Sequence, residues 1–172
     1  IILDIDKLKR SEFYKKSDTK LARTEVKKGS KLDPAQSDKE IKRLNIERYI
    51  NSSTLFVDGL IESGEVMTTV WKKALKSFLP KTFRPKTVLL LGLAGGCNAH
   101  LINHFFPDCQ TTAIEIDPFM VELGKKYFGL GRVKNLKIIY DDAEFFVDKL
   151  KSENMFDLIL VDCFIGKSIP IK

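Results

Sequence analysis

The sequence predicts an α/β fold built on a parallel sheet, and three observations carry that expectation. From residue 87 onward, short apolar runs alternate with helical stretches, the pattern of strands joined by right-handed helical crossovers. The first run, Val88–Leu91, stops in the turn Gly92-Leu-Ala-Gly-Gly96, and a helix follows at once. Four successive runs end in glycines or carboxylates, at Gly92–Gly96, Glu115, Asp141-Asp142 and Asp162. Ligands of open parallel sheets sit at the carboxyl ends of the strands, so one edge of this sheet collects the chemistry.

In chain order, Ile1–Ile5 reads as a short strand. Asp33-Pro34 has the form of an N-cap followed by proline at the first helical position, and a polar helix is expected from there to about Ile50. Thr54–Glu62 carries Asp58-Gly59 between apolar pairs, a hairpin signal. Between Gly64 and Leu79, the residues Val66, Met67, Val70, Trp71, Ala74, Leu75 and Phe78 recur at helical spacing and form one stripe for docking on a sheet. Met67 reads as core, and Trp71 as core or as part of the site. The strands are then expected at Thr87–Leu91, Thr111–Ile116, Leu136–Tyr140 and Phe156–Val161. The helices between them are expected at Cys97–Phe106, from Asp117-Pro118 to about Phe128, and at Ala143–Ser152.

The 172 residues are 44% hydrophobic, enough for one core plus an appendage. We divide them into a basic N-terminal segment (1–50), a hairpin with its docking helix (51–80) and a nucleoside-binding domain (81–172). Of the net charge of +6, +5 lies in the first segment, where acids are interleaved with the bases and aromatic residues are few. That pattern describes a solvated face, so no nucleic-acid partner is expected. No apolar run reaches the roughly eighteen residues a membrane span needs. Cys97, Cys109 and Cys163 have no metal or redox spacing, which predicts free thiols in a reducing, cytoplasmic setting. The chain starts with Ile and stops at Lys172, soon after a strand, so the fold is expected to be incomplete at its C-terminus.

The glycine turn alone is an ordinary device after a buried strand, and Ala94 breaks the Gly-x-Gly-x-x-Gly dinucleotide pattern. Joined to Glu115 about twenty residues on, it describes an adenosine site: glycines let the backbone approach, and the carboxylate takes ribose hydroxyls. In that role, replacing Glu115 is expected to cost binding far more than stability. Of Asp141 and Asp142, one can cap the third helix while the other accepts from an adenine amino group. Asp162 faces the reaction centre of a nucleoside bound across the sheet, or caps whatever follows. His100 and His104 share a helix face, but no third ligand is evident and no metal site is expected. Cys163 lacks a His or Asn partner and is not expected to act as a nucleophile.

From about Leu55 to Gly166 the chain resembles the spermidine/spermine synthase family, a branch of the class I S-adenosylmethionine-dependent methyltransferase fold with its Rossmann-like sheet. Leu55-Phe-Val-Asp-Gly-Leu-Ile-Glu62 is similar to the family's hairpin pattern Leu-x-Leu-Asp-Gly-x-x-Gln. Gly92–Gly96 stands where the family writes Gly-Gly-Gly-Asp-Gly-Gly, and Ile114-Glu-Ile-Asp117 stands for its Val-Glu-Ile-Asp. Asp141-Asp-Ala143 matches Gly-Asp-Ala, and Phe156–Asp162 resembles its fourth strand. The resemblance implies S-adenosylmethionine or its decarboxylated form as cofactor. It implies cofactor contacts from Glu62, Gly92, Ala94, Gly95, Gly96, Glu115, Ile116, Asp142, Ala143 and Asp162, with Asp162 as the catalytic residue. It also implies a homodimer.

The polyamine side of the family pattern is not kept. Ala94 or Gly95 replaces the acid that contacts the aminopropyl donor. Ile165 replaces the second Asp of Asp-Ser-Ser-Asp-Pro, which deprotonates the attacking amine. The amine-binding Tyr-Gln pair maps to about Trp71-Lys72. We therefore expect a methyl-transferring enzyme whose acceptor the sequence does not name. An aminopropyltransferase of altered amine specificity and a non-catalytic nucleoside-binding or interaction protein are the alternatives. A nicotinamide-dependent enzyme is disfavoured by the incomplete glycine fingerprint.

Overall fold

In the computed structural model, residues 2–4, 44–49, 52–57, 60–150 and 156–163 are described. Two sheets organise them. Strands β2 (Leu44–Tyr49), β3 (Ser52–Val57) and β4 (Leu60–Ser63) form an antiparallel sheet in that order. The second sheet is parallel, with β1 (Ile2–Asp4), β5 (Thr87–Leu91), β6 (Gln110–Glu115), β7 (Leu136–Tyr140) and β8 (Leu158–Val161) in the order β1-β8-β5-β6-β7. Helix α1 (Glu65–Phe78) joins the two sheets, and α2 (Cys97–Phe105), α3 (Pro118–Tyr127) and α4 (Ala143–Asp148) make the crossovers. A 3₁₀ turn at Leu130–Arg132 follows α3.

The strand order explains where the helices lie. From β5 to β6 to β7 the chain steps in one direction, so right-handed crossovers place α2 and α3 on the same face. From β7 it must return past β5 to reach β8, which puts α4 on the opposite face. The cores follow the strand alternation. Val88, Leu90, Ala113, Leu158 and Leu160 pack with Met67, Trp71, Ala99 and Ile102. On the other face, Leu89, Leu91 and Ile114 meet Ala143 and Phe146. Full burial of one such aliphatic side chain contributes about 1.5–3 kcal/mol.

The expected strands and helices from residue 64 to 161 are present, with ends shifted by a few residues. The largest shift is in α4, which stops at Asp148 rather than Ser152. The Asp117 carboxylate accepts from Phe119 N at 2.9 Å, and Pro118 opens α3, as the cap pattern implied. The stripe of α1 is buried at Met67, Val70, Trp71, Ala74 and Leu75, whereas Phe78 is exposed in the last turn.

One N-terminal outcome differs from expectation. The polar helix expected to reach Ile50 is not what forms at its end, because Leu44–Tyr49 is a strand paired with Ser52–Val57. Cross-strand pairing outweighs the weak local helix signal there. The strand expected at Ile1–Ile5 is present as β1, and it joins the main sheet beside β8. Asp58-Gly59, the expected hairpin turn, lies outside the described residues, although β3 and β4 on either side of it pair antiparallel. Ile165 and Gly166 also lie outside them.

Candidate nucleoside site at the strand ends

Because all five strands of the main sheet are parallel, their carboxyl ends share one edge. Along it stand Asp141-Asp142 after β7, Glu115 and Ile116 at β6, the glycine turn after β5, and Asp162 after β8. The chain reverses its stepping direction between β5 and β8. That switch point opens the crevice in which such sheets bind ligands, and the turn and Asp162 flank it.

The turn is held by an almost closed set of hydrogen bonds. Gly92 N donates to Ile114 O at 3.0 Å, and Gly96 N to Leu93 O at 2.8 Å. Leu93 N and Ala94 N both donate to Glu115 Oε2, at 3.0 and 2.9 Å. Gly95 N donates to Ser63 Oγ at 2.8 Å. Gly92 has φ +85°, and a Cβ there would lie 2.2 Å from the Asp162 carbonyl oxygen. Only glycine lets the turn pass against the end of β8. Ala94 also takes a left-handed conformation, φ 47°, which costs a residue with a Cβ about 1–2 kcal/mol. The bond from its N–H to Glu115 holds it there.

Glu115 is buried, and its Oε1 accepts a third backbone N–H, from Asp117 at 3.0 Å. A carboxylate offers about four lone-pair sites, so one remains for a hydroxyl donor. Ile116 beside it is 56% exposed, an apolar surface at the strand end. Asp142 caps α4, its Oδ1 accepting from Glu144 N at 2.8 Å. Asp141 instead accepts from Asp142 N and pairs with Lys149 at 3.3 Å. Asp142 is thus both the cap and the residue assigned to adenine. Ala143 packs inward with Leu89, Leu91 and Ile114.

Asp162 is fixed from two sides. Its Oδ2 accepts from Trp71 Nε1 at 2.9 Å and from Asn98 Nδ2 at 3.1 Å. Trp71 is therefore both core, at 0% exposure, and part of the site. Its neighbour Lys72 is exposed on α1. Glu62 is half-buried on β4.

Ser63 and Asn98 are the residues that sequence reasoning missed. Nothing in the sequence marks Ser63 beyond its place next to the Glu62 position. Asn98 had a signal, an amide among the buried apolar residues Cys97, Ala99, Leu101 and Ile102. Ser63→Ala should cost about 1–3 kcal/mol of stability, because it orphans the buried Gly95 N–H. Chemical denaturation of the parent and the variant reads that loss.

The field at this edge registers in two thiols. Burial, then the negative charges of Asp162, Glu115 and Asp142, pushes Cys163 up to about 12. The three carboxylates therefore act on one locus, and Cys163 stays a thiol at neutral pH. Burial and then Asp162 raise Cys97 from 9.0 to about 12. Its proton is kept in the fold but lost from the unfolded chain, so the linked stability is intact below about pH 9 and fades as pH rises toward 12. Parent protein should show a steeper fall in Tm than Cys97→Ser between about pH 8 and about pH 10.5. Parallel falls would assign the alkaline loss to other groups.

His100 donates through Nε2 to Phe128 O at 2.8 Å, while His104 is exposed and packs edge-on to Phe105. Among the described residues, no group of three His, Cys, Asp or Glu is placed to hold a metal ion, and no helix is long and apolar enough to cross a membrane.

No protein-family profile matches the chain. It is 37% identical over 97 residues to a Drosophila melanogaster eEF1A lysine and N-terminal methyltransferase homolog, a match covering 53% of this chain and 14% of that protein. It is 30% identical over 122 residues to a polyamine aminopropyltransferase of Chromobacterium violaceum, covering 70% of this chain and 46% of that one. The chain therefore spans less than half the length of either relative. Among solved structures, a probable spermidine synthase from Corynebacterium glutamicum superposes with a TM-score of 0.59 at 19% identity, over 74% of this chain and 50% of that one. Sheet order, hairpin and superposition agree: the chain has the class I methyltransferase fold in its spermidine-synthase-like form.

Proposed function

We propose that this protein binds S-adenosylmethionine and transfers its methyl group to a nucleophilic acceptor. The observation that carries this reading is the row of groups on one sheet edge: Asp142, Glu115 with exposed Ile116, the glycine turn and Asp162. The residues present fit such a ligand. Glu115 keeps one acceptor position open beside the turn, and Asn98 Oδ1 is a buried acceptor without a partner. Identity to the methyltransferase homolog, 37%, exceeds that to the aminopropyltransferase, 30%, and the amine-side acids of the synthases are missing from the sequence.

When bound, S-adenosylmethionine supplies a methyl group on a sulfonium, open to direct displacement with the thioether leaving. The chain's residues supply placement. Glu115 accepts a ribose hydroxyl, Asp142 accepts from the adenine amino group, and Ile116 and Ala143 border the base. Gly92, Ala94, Gly95 and Gly96 line the tail. Asp162, oriented by Trp71 and Asn98, offers a fixed negative charge to the cationic donor, and Glu62 adds to that field. Displacements of this kind depend mainly on proximity and alignment. We further place the protein in the cytoplasm as a homodimer, with residues 81–172 as the binding domain, 51–80 as its cover and 1–50 as a basic segment.

Titration calorimetry on the complete protein should show S-adenosylmethionine or S-adenosylhomocysteine binding, and NAD failing to bind. NAD binding more tightly than either sulfur nucleoside would overturn the proposal.

A further inference from the structure

Among the described residues, Asn98 Oδ1 is the buried side-chain oxygen or nitrogen that has no hydrogen-bond partner. The residue is 3% exposed and stands in the first turn of α2. Its amide cannot be turned over to mend this. The Asp162 carboxylate accepts only, so the NH₂ group must face it, as found at 3.1 Å. Trp71 holds the same carboxylate oxygen from α1 at 2.9 Å and keeps Asp162 from moving away. Leucine at this position would pack with the apolar residues around it and leave nothing unpaired. A buried acceptor retained beside a buried tryptophan and a carboxylate calls for a donor that arrives from outside the chain.

We propose that Asn98 is a specificity residue: its Oδ1 accepts an N–H from the primary ammonium on the tail of the sulfur nucleoside. The inference rests on the methyl-transfer reading above and adds a group to it. Two features select an ammonium. The available partner is an acceptor, and the neighbouring group is an anion, so a cation with several N–H donors satisfies both. Strand order selects the tail. The adenosine groups Glu115, Ile116 and Asp142 belong to β6 and β7, whereas Asn98 and Asp162 lie across β5, on the β8 side. A ligand with its base over β6 and β7 therefore presents its far end here.

Calorimetry with three ligands tests this on the parent, Asn98→Leu and Asn98→Ala. S-adenosylhomocysteine carries ammonium and carboxylate, decarboxylated S-adenosylmethionine carries only the ammonium, and 5′-methylthioadenosine carries neither. Both variants should bind the two ammonium-bearing ligands at least about tenfold more weakly, the usual scale for losing a charge-assisted hydrogen bond. They should bind 5′-methylthioadenosine within about twofold of the parent, which also reports that the site is folded. Equal losses for all three ligands would make Asn98 a structural residue and overturn the proposal. So would unchanged binding of the ammonium-bearing pair. A parent that binds none of the three would instead sink the methyl-transfer reading, and this proposal with it.

Discussion

Glu115→Ala should abolish nucleoside binding and also cost the protein much of its stability. The ribose role read from the sequence implied a variant that folds normally and fails only to bind. The geometry revises that expectation. Both carboxylate oxygens are already at work, taking N–H groups from Leu93, Ala94 and Asp117. Hydrogen bonds to an ionised group contribute about 1.5–3 kcal/mol each, and a buried donor left alone costs its desolvation. Allowing for water at the part-buried Ala94, the loss should be about 3–6 kcal/mol, against a total of roughly 5–15 kcal/mol for a typical domain. Ala94 is held at positive φ by one of these bonds, so the turn should also relax away from the shape that admits a ligand. Glu115→Gln separates the two effects. It keeps an acceptor but sets an NH₂ against one group of donors, so it should lose less stability than alanine while still binding nucleoside poorly. Denaturant midpoints and calorimetry on the two variants read this. An alanine variant as stable as the parent would mean that the three bonds do not support the turn.

Glu115 also shows what the sequence made legible. The spacing from the glycine turn to the acid located the residue, because a strand and a crossover helix fix how far apart two strand ends lie. Its bonding to the turn was not visible, because that requires knowing which way backbone N–H groups point once Gly92 and Ala94 take left-handed conformations. Trp71 was placed on the right helix face by its period, but its bond to Asp162 spans 91 positions, and no local pattern reports on such a distance. The strands from β5 to β8 were legible because each is a buried run bounded by turn residues. β2 was not: Leu44–Tyr49 carries Asn, Glu and Arg among its apolar residues, and it becomes a strand through pairing with β3. The dual burden on Asp142 has a similar origin. Two adjacent acids after a strand look interchangeable until the helix cap selects one, here by the 2.8 Å bond from Glu144 N.

The complete protein should not make spermidine from putrescine at a rate typical of the synthases. The sequence argument rests on Ile165 at the position of the amine-deprotonating acid, and on Ala94-Gly95 in place of the donor-side acid. The structure adds one observation on the donor side and one on the amine side. Gly95 is not a vacancy that another acid fills, because its N–H is tied to Ser63 and a Cβ there would lie 2.7 Å from the serine side chain. Trp71, at the position that maps to the amine-binding tyrosine, is fully buried and spends its one donor on Asp162. A diamine would meet an indole already bonded elsewhere. Loss of a positioned general base typically costs about 10²–10⁴ in rate, and weaker diamine binding adds to that. The assay is putrescine with decarboxylated S-adenosylmethionine, read by mass spectrometry. Robust spermidine formation would show that another residue supplies the base and would turn the assignment from methyl to aminopropyl transfer. Ile165→Asp provides the converse measurement: a rise in aminopropyl transfer would confirm that residue 165 stands where the synthases keep their base. No rise, in a variant that still binds the donor nucleoside, would place the fault in the rest of the amine pocket, where Trp71 is the next residue to change.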